Sequence, residues 1–262
     1  MSFTHLLFNL SDDGIATVTL NRPEARNAIN APMRRDFRAL GERLLADSAV
    51  KVVIFTGAGD EAFSAGGDIG HFERDWRTPD FRAQGRPLTD FFNLLEELEK
   101  PVIAAVNGVA TGAGLQLAMA CDLRLASDRA RFGFRENALN LIPGHGGTVR
   151  LVKLVGLGKA KELIFTGRFI SAAEAQAVGL VNRIAPRAAL AEQAQAMART
   201  LLRRAPQSLG LVKRLLMAAT ETDKASALFL ESLAQSVLIK TEDHREGLRA
   251  FRQKQKPDFK GD

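Results

Sequence analysis

The chain has 262 residues, 46% of them hydrophobic and 25% charged, with a formal net charge of +6 and one cysteine. That length can bury a full core and suits one large domain or a domain with an appendage, while a single thiol excludes an intramolecular disulfide framework and fits a reducing cytoplasm. Positive charge admits nucleic acid, an anionic membrane or a polyanionic small molecule as partner, but no zinc finger, aromatic-and-basic RNA motif or heptad zipper is present.

From the start, MSFTHLLFNLSDDG lacks the basic and long apolar regions of an export signal. Strand-like runs THLLFNL, IATVTL, VVIFTG, PVIAAV and LRLAS then alternate with helical patterns at 32–46 and 89–98. This predicts an α/β architecture around a buried, partly parallel sheet. Arg34, Arg35 and Arg38 lie at helical spacing among acids, as do Arg203 and Arg204, and Lys254 and Lys256; each reads as solvated surface. Residues 70–87 mix charge with Phe72, Trp76 and Phe81, the pattern of a mobile loop or a pocket wall. Beyond Pro143 the pattern turns helical. Ser171 and Glu174 form a capping box, Pro206 can open another helix, and 222–240 carries an amphipathic repeat.

Residues 101–121, PVIAAVNGVATGAGLQLAMAC, contain no charge and crowd Gly108, Gly112, Ala113 and Gly114 into the middle. A membrane span of about 20 residues is one reading; the amides of Asn107 and Gln116 and the three glycines oppose it. Two elements fit better: a strand, VIAAV, ended by the Asn107-Gly108 turn, and a helix over about 113–121. Glycines there let the backbone approach a neighbour closely. The neighbour is either a packed element or a ligand anion drawn to the helix N-terminus, whose partial charge is near +0.5.

Conventional motifs fail. GAGDEAFSAGGD lacks the ending of a phosphate-binding loop, GLGKAK lacks the last glycine of a dinucleotide fingerprint, and no GxSxG or HExxH occurs. His5, His71, His145 and His244 are scattered, so no metal site is expected. Cys121, after an apolar helix, reads as a buried inert thiol. A second small-residue turn remains, FSAGGDI at 63–69. Two such turns could supply a pair of N–H donors to an oxyanion.

NRPEARNAIN, FSAGGDI, PVIAAVNGVATGAGLQLAMACD, FGFRE, PGHGGTVRL and EGLRAFRQKQKPDF occur in this order. In order and spacing the chain resembles the crotonase, or enoyl-CoA hydratase/isomerase, superfamily over nearly its whole length. The resemblance implies an α/β fold, a crotonase-like spiral of ββα units (1–200) followed by a C-terminal helical trimerisation region (201–262). It further implies an acyl-CoA thioester as substrate partner, with no separate cofactor, and assembly as a homotrimer or dimer of trimers. By motif position the thioester carbonyl is held by the N–H groups of Gly67 and Ala113. The backbone around Ala25, Arg26, Ala28, Ala65, Asp68 and Ile69 contacts coenzyme A, and Phe251 and Lys254 close over the nucleotide. For Arg26 and Lys254 a solvated side chain is the competing reading.

The resemblance places the two acid/base positions of hydratases at Gln116 and Glu136. A primary amide cannot act as a base near neutral pH. One glutamate suffices to shuttle a proton between the α and γ carbons, whereas standard hydration uses two carboxylates. Hydration by Glu136 with water held on Gln116 stays open, as does a non-catalytic acyl-CoA binder. Arg135 reads either as lowering the Glu136 pKa, as a partner for a charged acyl group, or as surface. Phe72, Trp76, Phe81, Leu141 and Ile142 are candidates for the acyl pocket.

Overall fold

The computed structural model describes residues 3–262. In chain order the elements are β1 (Leu6–Leu10), β2 (Ile15–Leu20), α1 (Ala31–Ala46), β3 (Val52–Gly57), β4 (Ala62–Ser64), α2 (Ile69–Phe72), α3 (Thr78–Glu97), β5 (Val102–Val106), β6 (Val109–Thr111) and α4 (Ala113–Ala120). There follow β7 (Leu123–Ser127), β8 (Arg131–Gly133), α5 (Gly147–Thr166), β9 (Ile170–Ser171), α6 (Ala172–Ala177), β10 (Arg183–Ala185), α7 (Leu190–Leu202), α8 (Pro206–Ala219), α9 (Lys224–Leu238) and α10 (Glu242–Gln253).

Two sheets organise the chain. The larger runs β1-β2-β3-β5-β7-β10 and the smaller β4-β6-β8-β9. Each turn of the spiral lays one long strand in the large sheet and one short strand in the small sheet before a helix: β3-β4-α2/α3, then β5-β6-α4. Neighbouring turns pair in parallel in both sheets, while β1 closes antiparallel on β2 and β9 on β8.

The unbroken apolar runs of β3 and β5 follow from burial on both faces. Val53 and Phe55 of β3, with Val102, Ala104 and Val106 of β5, face a large core shared with α1, α3 and α4. Val52, Ile54, Ile103 and Ala105 face a second core completed by Leu190, Ala194 and Ala198 of α7. α1 is opened by Asn30, whose side chain accepts from the Met33 N–H at 3.0 Å, and buries Met33, Phe37, Leu40 and Leu44 along one stripe.

The structure differs from the sequence reading at several places. α3 starts at Thr78, not at residue 89, and contains Pro87; its first half is charged and mostly exposed, which conceals the apolar period. With the short helix α2, it makes most of 70–87 helical, and of the two readings of that segment the structure favours the pocket wall, since Phe72 and Phe81 line a cavity. The small-sheet strands β4, β6 and β8 have three residues each, too few to display alternation. Only half of the expected capping box forms, since Ser171 accepts the Glu174 N–H at 3.2 Å but the Glu174 carboxylate pairs with Arg168. The start at Pro206 and the amphipathic helix after Asp223 both form. No helix of the described residues is long and apolar enough to cross a membrane.

Candidate active site

Two glycine-containing turns meet at one point. A Cβ on Gly66, which has φ +94°, would lie 2.8 Å from the Thr111 carbonyl and 3.3 Å from the Ala113 nitrogen, so the FSAGGDI turn rests directly on the turn that opens α4. Only a residue without a side chain permits that approach and that backbone angle. Gly114 brings α4 equally close to β4, its absent Cβ lying 2.5 Å from Ser64 Cβ. The three-residue turn after β4 is held from the other side: Ile29 N–H donates to the Gly66 carbonyl at 2.7 Å and Asp68 N–H to the Ile29 carbonyl at 3.1 Å. This pairing skips the Gly67 N–H. The Ala113 N–H, at the first position of α4, has no carbonyl available within its helix. Gly67 and Ala113 both line one cavity of about 520 Å³.

Beside this meeting point stands Glu136. Its Oε1 would be 3.6 Å from a Cβ on Gly112, and it accepts a hydrogen bond from Gln116 Nε2 at 2.9 Å. Gln116 is 1% exposed on an α4 whose every residue is buried. Its Oε1 accepts from the His145 N–H at 2.8 Å. That donor fixes the amide with its oxygen toward His145 and its NH2 toward the carboxyl group. Glu136 Oε2 is buried and has no partner among the described residues. Burial pushes the Glu136 carboxyl above the ordinary glutamate range, against the smaller opposing pull of its own and Arg135's backbone N–H groups and of Gln116. The acid is therefore primed to hold or release a proton closer to neutrality.

His145 was not singled out by spacing. Its ring lines the cavity, pairs with Thr89 Oγ1 through Nδ1 at 2.9 Å, and is pushed down to about 4, mainly by burial. It is a neutral wall near neutral pH. A buried backbone N–H aimed at a neighbour's amide leaves no mark in a sequence.

The other expected residues divide. Ala65, Gly67, Ala113, Gln116 and Glu136 line the cavity with Phe72, Phe81, Leu141 and Ile142. Ala25, Arg26 and Ala28 form the adjoining turn, where the Arg26 carbonyl accepts from Ala65 N–H at 2.9 Å and Arg22 bridges the Ala28 carbonyl and the Asp68 carboxylate. Asp68 caps α2 through Gly70 N–H at 3.0 Å, and Ile69 is exposed. Trp76 does not line the cavity; its indole N–H donates to the His71 carbonyl at 2.7 Å. Phe251 is 84% exposed, and neither it nor Lys254 borders the cavity. Arg135 acts on Glu136 through its backbone N–H and not through its charge; its guanidinium donates to the Gly167 carbonyl at 3.2 Å. Arg34 is not a solvated surface residue: it also lines the cavity. Cys121 is buried and its thiol is pushed up to about 12 by desolvation, as suits an inert core residue.

A two-sheet spiral with one buried acid beside two apposed glycine turns places the chain in the crotonase class of α/β folds. Residues 11–262 match the family model for enoyl-CoA hydratase/isomerase, and the chain belongs to that family. It is 40% identical over 257 residues to the putative enoyl-CoA hydratase/isomerase YngF of Bacillus subtilis, covering 98% of each chain. It is 42% identical to the short-chain-enoyl-CoA hydratase of Clostridium acetobutylicum, covering 92% of each. The crystal structure of an enoyl-CoA hydratase from Bacillus anthracis superposes with a TM-score of 0.94 at 35% identity, covering 99% of this chain and 100% of that one.

Proposed function

We propose that this protein transfers protons on the enolate of an enoyl-CoA thioester, with Glu136 as its one acid/base group and the N–H groups of Gly67 and Ala113 as the oxyanion donors. The observation that carries the proposal is the unpaired, buried Oε2 of Glu136 beside the junction of the two turns. In a double-bond shift, the Glu136 carboxylate takes the α proton of a 3-enoyl thioester. The C–H electrons form the enolate, its charge rests on the thioester oxygen between the two N–H groups, and the carboxylic acid returns the proton at the γ carbon. Losing one such donor typically costs about 2.7–4 kcal/mol of barrier lowering.

Hydration is the second reading, favoured by the 42% identity to a protein named a short-chain-enoyl-CoA hydratase. Here the Glu136 carboxylate takes a proton from water steadied by Gln116 as the oxygen bonds to the β carbon. The double-bond electrons form an enolate whose charge rests between the same two N–H groups, and the carboxylic acid returns the proton at the α carbon. NMR of 2-enoyl-CoA and 3-enoyl-CoA in heavy water separates the two. Migration with α/γ deuterium incorporation assigns isomerisation; a 3-hydroxyacyl product assigns hydration. Thioester binding with neither reaction would leave only a binder.

Coenzyme A is proposed to lie along the Ala25–Ala28 turn and the backbone of Ala65, Asp68 and Ile69. In an oligomer, Phe251 and Lys254 would reach a nucleotide from outside this cavity. Association as a trimer or dimer of trimers through 201–262 is supported by α9, which buries none of its residues within one chain and exposes Leu228, Phe229, Leu233 and Val237. A reducing compartment such as the cytoplasm suits the single buried thiol.

A further inference from the structure

Among the described residues, three buried side-chain polar atoms have no hydrogen-bond partner: Glu136 Oε2, Arg34 Nε and Arg150 Nε. The first two belong to residues that line the same cavity. One is the acceptor assigned above to proton transfer. The other is a cationic donor, and nothing in that chemistry uses it.

Arg34 projects from the first turns of α1 into the cavity. No carboxylate of the described residues pairs with it; Nη1 lies 3.5 Å from His71 Nε2 and donates to the Gln84 carbonyl at 3.3 Å. A guanidinium wants a planar, two-oxygen acceptor, and one ring nitrogen and one carbonyl do not supply it. Only its Nε is buried without a partner, while the rest of the half-buried guanidinium has these two weak neighbours. Partial burial of a cation without a carboxylate carries a cost that an anion arriving with a ligand would offset.

The rest of the wall agrees. Arg82 and Arg135 also border the cavity and have no carboxylate partner among the described residues, but both are exposed, while Arg86 pairs with Asp90 at 3.6 Å. The only remaining acid is Glu136, which burial drives toward its neutral form. Both histidines of the wall, His71 and His145, are pushed toward their neutral forms by burial and further by the charge of Arg34. Arg34 is thus the one half-buried cation of the cavity without a carboxylate partner among the described residues, and in that partly desolvated position it acts more strongly on an anion than the exposed arginines do.

Position identifies which part of the ligand carries that anion. Gln116 links Glu136 to the His145 N–H. The place of a Cβ on Gly85 is 3.5 Å from His145 Cε1, and Arg34 contacts the carbonyl of the preceding Gln84. The wall therefore runs from the reacting centre across Gln116 and His145 to Arg34. The proposed coenzyme A path lies along Ala25–Ala28 and Ala65–Ile69 and meets this wall at α2, whose His71 is Arg34's other neighbour, so the two ends of the ligand are to be separated by experiment.

We propose that this cavity selects an acyl group with a carboxylate at its far end, the mono-CoA thioester of an unsaturated dicarboxylic acid, and that Arg34 is the residue that recognises it. The inference rests on the enoyl-thioester reading above and goes beyond it to substrate class.

The test offers the protein a chain-length series of 2-enedioic acid mono-CoA thioesters and their methyl-terminated counterparts, followed by loss of the conjugated thioester and by heavy-water NMR. The expected result is a kcat/KM ratio favouring the carboxylated ester by about ten- to a hundredfold at the best length, the range of one charge-assisted hydrogen-bonding contact. Arg34→Met should collapse that ratio, and Arg34→Lys should restore part of it. Equal loss on both ester series would assign Arg34 to a coenzyme A phosphate and overturn the proposal. A native protein that prefers the methyl-terminated esters overturns it without need of any variant. If no ester of either series is turned over or exchanged, the enoyl-thioester reading itself has failed.

Discussion

Gln116→Glu tests the division of labour at the centre. The amide Nε2 now lies 2.9 Å from Glu136 Oε1, so the substitution puts a second carboxyl group in direct contact with the first. Two negative charges at about 4 Å repel by about 4 kcal/mol at an effective dielectric constant of about 20, or roughly 3 pKa units at 1.36 kcal/mol each. The pair therefore keeps one proton near neutral pH. The protonated member can replace the present Nε2–H donor, and the His145 N–H, now 2.8 Å from the amide oxygen, can still donate to the other oxygen. Little stability should be lost. One base and one acid then stand on the same thioester, as hydration requires, and a positioned proton donor contributes typically 10²–10⁴-fold. Hydration of a 2-enoyl-CoA, followed by the disappearance of the conjugated thioester, is expected to rise by at least about tenfold while double-bond migration falls. A variant with an unchanged melting temperature and no faster hydration would refute the account of Gln116 as the missing acid/base group.

Glu136→Gln should abolish α/γ deuterium exchange and leave thioester affinity nearly intact; retained exchange would mean that another group is the base. In the native protein kcat/KM should rise with pH through a value above the ordinary glutamate pKa of about 4.3, because burial raises the folded-state pKa and only the carboxylate accepts a proton. The same shift makes the ionised group a liability to folding. Stability that Glu136 contributes in acid is lost as pH rises through its folded pKa, so the melting temperature of Glu136→Gln relative to the parent should increase from acid to neutral pH. Gly66→Ala must place a Cβ 2.8 Å from the Thr111 carbonyl at φ +94°; about 1–3 kcal/mol of stability and most turnover should go, and full activity would disprove tight apposition of the two turns. Leu233→Glu on the exposed face of α9 should lower the mass measured by light scattering if that helix joins subunits.

Legibility depended on how local each constraint is. β3 and β5 could be read because burial on both faces writes an apolar run into adjacent residues. The turns at 63–69 and 107–114 could be read because a backbone-to-backbone approach leaves glycine as its record, and Gly66, Gly112 and Gly114 all meet main-chain atoms of another element. β4, β6 and β8 are three-residue strands whose pairing is set by the spiral, not by their own alternation. α3 was half-concealed by charges that pair along its surface and by Pro87. The site followed the same rule.

What no spacing could reveal was direction. The triplet Arg34, Arg35 and Arg38 looks like one solvated stripe, yet on a helix of 3.6 residues per turn each step of 100° changes what a side chain faces. Arg35 and Arg38 reach solvent, whereas Arg34 follows Met33 at the edge of the buried stripe and is carried under α3 toward His71 and Gln84. The same rotation that buries Met33 and Phe37 thus delivers a guanidinium to the cavity without any change in composition. Charge counting gave +6 and no address for it. The address comes from the absence, among the described residues, of a carboxylate paired with Arg34, a fact about the far wall of the cavity and the residues of α2 and α3 that build it.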